Sequence, residues 1–144
     1  MSRRSRAREV ALQVLFQDDL NPGGDKAAAD EFLAARLQGD ELTEFARSLV
    51  AGVRRNRSEL DSLLTKTADH WTLERMAATD RNVLRLGVYE ILYADTPGRV
   101  AINEAVELAK RFGTSHSAQF VNGILDRFIE KEEGRDERGR EVGG

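Results

Sequence analysis

The chain of 144 residues is 40% hydrophobic and 33% charged, the balance of a soluble globular protein with a densely charged surface and enough apolar residues for one core. A formal net charge of −3 excludes a protein that is basic throughout, so any nucleic-acid contact is local, and the lack of cysteine excludes disulfides, zinc–thiolate or iron–sulfur sites and thiol catalysis. No apolar run approaches the roughly 20 residues that cross a bilayer, and the start MSRRSRAREV has no apolar signal core, which points to a cytoplasmic protein without a membrane partner.

Ala7, Val10, Ala11, Val14 and Leu15 fall on one helical face, which predicts a first helix that ends before the turn Asn21-Pro22-Gly23-Gly24. A shorter helix is expected over 25–37, with Ala28, Phe32, Leu33 and Leu37 inward. Asp40 can cap a third, and its stripe Leu42, Phe45, Leu49, Val53 resumes in register at Leu60, Leu63 and Leu64. The step of seven favours one long helix through Arg54-Arg55-Asn56-Arg57, with Asn56 the weakest point. Thr72 can cap a short turn through Met76.

A helix from Thr79 or Asp80 carries apolar residues around nearly its whole circumference, as expected of one surrounded by others, until Asp95-Thr96-Pro97-Gly98. Ile102, Ala105, Val106, Ala109 and Phe112 mark a further helix closed by a left-handed cap at Gly113. Thr114, Ser115 and Ser117 offer caps for the last, with Phe120, Val121, Ile124, Leu125 and Phe128 on one face. No strand pattern occurs. The fold class is all-α with about seven helices, followed over 130–144 by a charged tail expected to be disordered.

Chemistry for catalysis is thin. There is no glycine-rich phosphate loop, Asp18-Asp19 lacks the rest of a calcium loop and reads as surface charge, and His70 and His116 have no metal-ligand spacing. Ser115-His116-Ser117 has no positioned acid, while Glu104 and Glu107 precede Lys110 and Arg111 at ordinary pairing distances along a helix. We therefore expect neither an enzyme nor a cofactor or metal. RNA binding is better supplied: Arg3, Arg4, Arg6 and Arg8 stand together with no acid before Glu9, and Phe16, Phe112 and Phe120 offer faces for unpaired bases. The competing readings are a frayed terminus and core phenylalanines; a helical scaffold that binds only protein also remains open.

Several blocks together resemble the NusB family of bacterial transcription antitermination factors. They are RRSRAREVALQVLFQ from Arg3, FARSLVAGV from Phe45, WTLER from Trp71, DRNVLR from Asp80, INEAVELAK from Ile102 and FVNGIL from Phe120. The resemblance implies two small helical subdomains, 1–67 and 68–129, and no catalysis. It implies binding to boxA-type RNA of ribosomal RNA leader transcripts, jointly with a NusE-like small-subunit ribosomal protein, within the RNA polymerase antitermination complex; a homodimer that hides the RNA face is compatible with it. Carried over by motif, Arg4, Arg6 and Arg8 meet RNA with Arg3 assisting, Phe120 stacks on a base, and His116 lies beside it. Asp80, with Glu74 and Arg75, faces the protein partner. Asn103 and Asn122 are expected to close backbone groups in the core.

Overall fold

A computed structural model of the chain describes residues 2–134; beyond them only the continuing backbone of the last helix is assigned. The elements are α1 (Arg3–Leu20), α2 (Ala27–Arg36), α3 (Asp40–Thr67), a 3-10 turn (Leu73–Arg75), α4 (Ala78–Tyr93), α5 (Gly98–Phe112) and α6 (Ser117–Gly143). No strand occurs among the described residues. Six α-helices and one short turn agree with the expected fold class. Residues 130–134, the start of the expected tail, continue α6; 135–144 lie outside the described residues.

The local reasons are visible in the caps. Ser2 Oγ accepts from the Ser5 amide at 3.0 Å and starts α1, and Asn21, ahead of Pro22, ends it. α3 passes unbroken through its polar stretch because Asn56 Nδ2 donates to the Gly52 carbonyl at 2.8 Å instead of competing for another conformation. Two expected caps differ. Gly39, at φ 95°, takes the capping position before α3, and Asp40 is its first helical residue. Gly113 is extended rather than left-handed; the turn closes through the Thr114 amide, which donates to Ser117 Oγ at 2.9 Å.

α4 is the central element, packed against α1, α3, α5 and α6. Val83, Leu84, Leu86 and Val88 are buried, and a fully buried leucine contributes about 2 kcal/mol relative to an exposed one. Close approach to α3 depends on Gly52, where a Cβ would stand 2.1 Å from Tyr89 Cζ. Thr67 is the last residue of α3, and buried side chains from both sides of it meet in one cluster from Ala7 to Phe128.

Polar groups also lie inside. Asp19, read from sequence as surface charge, accepts from Arg57 at 3.1 Å, Arg81 at 2.8 Å and Asn82 at 2.9 Å, with Arg85 at 3.4 Å. It ties α1 to α3 and α4. Arg85 adds a two-pronged bond to Asp61, at 2.6 and 3.0 Å. Asn82, not Asn103 or Asn122, closes a backbone group, that of Ala78 at 2.8 Å; Asn103 is exposed and Asn122 donates to Asp126.

Candidate nucleic-acid interface

The arginine-rich start is the first turn and a half of α1, so its residues radiate around the helix instead of forming one basic face. Arg3 and Arg4 are exposed, with the Arg4 guanidinium 4.6 Å from the Phe45 ring centre, and the Arg6 side chain is 43% exposed. Arg8 does not belong to that set. It is 5% exposed and locked to Glu90 of α4, with Glu104 Oε1 3.6 Å from Nη1. A charge on the inward face of α1 must find an acid in the core, and this one has found two. Ser5, where an arginine would have lengthened the cluster, donates to both carboxylate oxygens of Glu104 at 2.8 and 2.9 Å and fastens α1 to α5.

Folding replaces the lost charge from elsewhere. Glu9, 2% exposed, pairs with Arg6 at 3.0 Å and with Arg111 of α5 at 2.9 Å. Arg111 thereby joins the arm, and Lys110, 61% exposed and paired with Glu107, stands next to it. Sequence reading missed Arg111 because helical spacing offered it Glu107 as an ordinary partner. Arg6, Lys110 and Arg111 gather on the α5 side of α1, with Glu9 and Glu104 between the helices, while Arg3 and Arg4 lie toward the start of α3, near Gly39 and over Phe45.

The aromatic candidates separate into two places. Phe16 and Phe112 line one cleft of about 640 Å3 with Leu12, Phe32 and Thr79, and Arg36 and Arg111 lie 4.6 and 5.7 Å over the rings of Phe32 and Phe112. Phe120 sits on α6, half-buried, its ring 5.2 Å from that of Trp71 at an interplanar angle of 76°. His116 is exposed in the turn before α6, where its carbonyl accepts from the Phe120 amide. The structure thus brings Phe16 and Phe112 together, and His116 and Phe120 together. Trp71, which single-residue reading did not nominate, is the partner of the second group.

Asp80 lies in the first turn of α4, directly after Thr79 of the cleft wall. Its Oδ1 is buried and has no hydrogen-bond partner among the described residues. Glu74 and Arg75 are exposed on the 3-10 turn, which Arg81 holds against α4 by donating to the carbonyls of Leu73 and Met76 at 2.8 and 3.1 Å. Among the described residues no three His, Asp or Glu side chains are placed to hold a metal ion, and no helix is long and apolar enough to cross a membrane.

A sequence model described as the NusB family matches residues 5–130. The chain belongs to the NusB family. It is 45% identical to the transcription antitermination protein NusB of Desulfitobacterium hafniense, over 99% of this chain and 97% of that one, and 43% identical to the NusB of Desulfosudis oleivorans over 95% and 91%. Among solved structures, NusB of T. maritima superposes with a TM-score of 0.79 at 38% identity, covering 90% of this chain and 92% of that one. A structure described as antitermination factors NusB and NusE in complex with dsRNA matches with a TM-score of 0.79 at 29% identity, over 91% and 98%. The all-helical NusB fold is therefore the fold of this chain.

Proposed function

We propose that this NusB-family chain is a transcription antitermination factor that acts in the cytoplasm without catalysis. It binds boxA-type single-stranded RNA of ribosomal RNA leader transcripts jointly with a NusE-like small-subunit ribosomal protein, as part of the RNA polymerase antitermination complex. The observation that carries the RNA assignment is the cluster of arginines around the start of α1, Arg3, Arg4 and Arg6, with Arg111 beside Arg6 at the buried Glu9, in a protein that is acidic overall. Such a cluster confines phosphate binding to one end of the helix. The solved structure described as NusB and NusE in complex with dsRNA supports joint binding of a protein partner and RNA.

The cleft beside Asp80 suits the protein partner better than RNA. Phe16, Phe32 and Phe112 supply an apolar floor, and Asp80, the residue after Thr79 of the cleft wall, supplies a carboxylate at its edge for a cation of the partner. Phe16 and Phe112, expected at RNA, are therefore placed with Asp80, Glu74 and Arg75 on the partner side, while Phe120 and His116 stay on the RNA side.

Fluorescence anisotropy of a labelled boxA-type RNA and of a scrambled one, with and without the NusE-like protein at two salt concentrations, tests the reading. Three phosphate contacts predict a log–log slope near −2, from about −0.7 per phosphate on a single strand. Sequence-selective binding that tightens with the partner is the expected result; no RNA binding in any mixture would leave a scaffold that binds only protein.

A further inference from the structure

We infer that Arg81 is a positioning residue of the partner face: its guanidinium, anchored on Asp19 of α1, holds the 3-10 turn in the orientation that presents Glu74 and Arg75 beside Asp80. This role rests on the reading that these three residues meet the NusE-like protein, and it gives that face the device that keeps its parts in register.

The guanidinium is used on two sides. Nε donates to Asp19 Oδ2 at 2.8 Å, and Nη2 stands 2.8 Å from the same oxygen. Nη1, on the opposite edge of the group, donates to the carbonyls of Leu73 and Met76 at 2.8 and 3.1 Å. One planar side chain, itself 15% exposed, therefore joins the end of α1 to the first residue of the turn and to the residue that follows it. Leu73 is half-buried against the core and Met76 is buried, which fixes the depth of the turn. Apolar contact has no direction, whereas bonds to two carbonyls set how the turn is rotated, and with it where the exposed Glu74 and Arg75 project. Asp80 precedes Arg81 in the first turn of α4, so all three partner residues are placed from one side chain.

Asp19 does not depend on Arg81. Arg57 at 3.1 Å, Asn82 at 2.9 Å and Arg85 at 3.4 Å stay on its carboxylate when Arg81 is replaced, so no buried charge is stranded. The turn is placed differently. Its Leu73 carbonyl accepts from the Met76 amide at 3.2 Å, a bond within the segment, while the bonds from Arg81 tie it to another element. A lysine would offer Asp19 a cation, but its single nitrogen cannot occupy the positions of Nε and Nη1 together. Charge and placement are therefore separable at this residue.

Arg81→Lys and Arg81→Gln are compared with the parent in the full chain, by thermal unfolding and by calorimetric titration with the NusE-like protein. Arg81→Lys is expected to keep Tm within about 3 °C of the parent and to weaken partner binding roughly tenfold, because the loosened turn must be ordered on binding. In a chain that already carries Glu74→Ala with Arg75→Ala, Arg81→Lys should weaken binding by no more than about twofold further, since Arg81 acts through those two side chains. Additive losses in that cycle would overturn the inference and make Arg81 a direct contact or a general support. So would parental affinity in Arg81→Lys, with Arg81→Gln alone impaired, because a cation for Asp19 would then suffice. Should Glu74→Ala with Arg75→Ala bind like the parent while Asp80→Arg does not, the turn lies outside the contact and the inference falls alone; should neither weaken binding, the partner face itself is misplaced.

Discussion

Arg8 and Glu90 form a two-pronged ion pair across the interior: Nε stands 2.8 Å from Oε2 and Nη2 2.8 Å from Oε1, with Thr96 Oγ1 donating to Oε1 at 3.1 Å. Burial works against the Arg8 charge, but the hydrogen bond and charge of Glu90, then the charge of Glu104, outweigh it and raise the guanidinium pKa above its ordinary value. Removing one side leaves the other buried and unpaired. Arg8→Ala is therefore expected to cost about 3–5 kcal/mol and to lower Tm by roughly 10 °C or more, and Arg8→Lys recovers only part because an ammonium cannot bridge both oxygens. Thermal unfolding by circular dichroism measures this; an unchanged Tm would show that Glu90 does not depend on Arg8.

Arg4 and Arg6 should behave in the opposite way. Arg4 is exposed, and after Arg6 is lost Glu9 keeps Arg111 at 2.9 Å, so no buried acid is stranded. Arg4→Ala with Arg6→Ala is expected to leave Tm within about 2 °C of the parent while making the salt slope of RNA binding shallower by about 1.4. Full affinity in a folded double variant would remove the arm from the interface.

The contrast between Arg8 and its neighbours shows where sequence is readable. The long reach of α3 followed from a stripe that stays in register across Val53 and Leu60, and the end of α1 from proline beside glycine, because both are decided by residues within a turn or two of one another. The resemblance, carried by blocks along the chain, supplied the family. What periodicity could not show is which charge is drawn inside. Arg8 and Glu90 are 82 residues apart, and Asp19 meets Arg81 from 62 residues away. Arg111 was hidden for the same reason, since a local acid was available on paper. Trp71 has no role legible in sequence, because its exposure and its contact with Phe120 exist only once α6 lies beside the end of α3.

Asp80 offers a test of the partner face that is separate from RNA. Its buried Oδ1 lacks a partner among the described residues, and the cleft wall begins one residue before it. Asp80→Arg reverses the charge offered to a cation of the NusE-like protein and is expected to weaken co-binding by at least about thirtyfold, from the roughly 2–5 kcal/mol that truncating a buried interfacial charge costs. RNA binding by the variant alone should stay at the parental level. A ternary complex of undiminished affinity in an electrophoretic shift assay would move the partner elsewhere.

Asp19 sets an acid limit on stability. Burial alone would raise its pKa, but hydrogen bonds from Arg81 and Asn82 and the charges of Arg81 and Arg85 overcome that and hold it below the ordinary 3.8. A carboxylate whose pKa is lower in the folded state contributes stability that is complete above 3.8 and is lost as pH falls through that value to the folded pKa. Asp19→Asn keeps the size of the side chain and removes its charge, leaving Arg57, Arg81 and Arg85 around a neutral amide. The variant should be roughly 3 kcal/mol less stable than the parent at pH 6, and the gap should narrow steadily as the pH is lowered below 3.8. Urea unfolding of both proteins at a series of pH values isolates this contribution, because every other carboxylate cancels in the difference. A gap that stays constant from neutral to strongly acidic pH would mean that Asp19 holds the helices by shape and hydrogen bonding and not by charge.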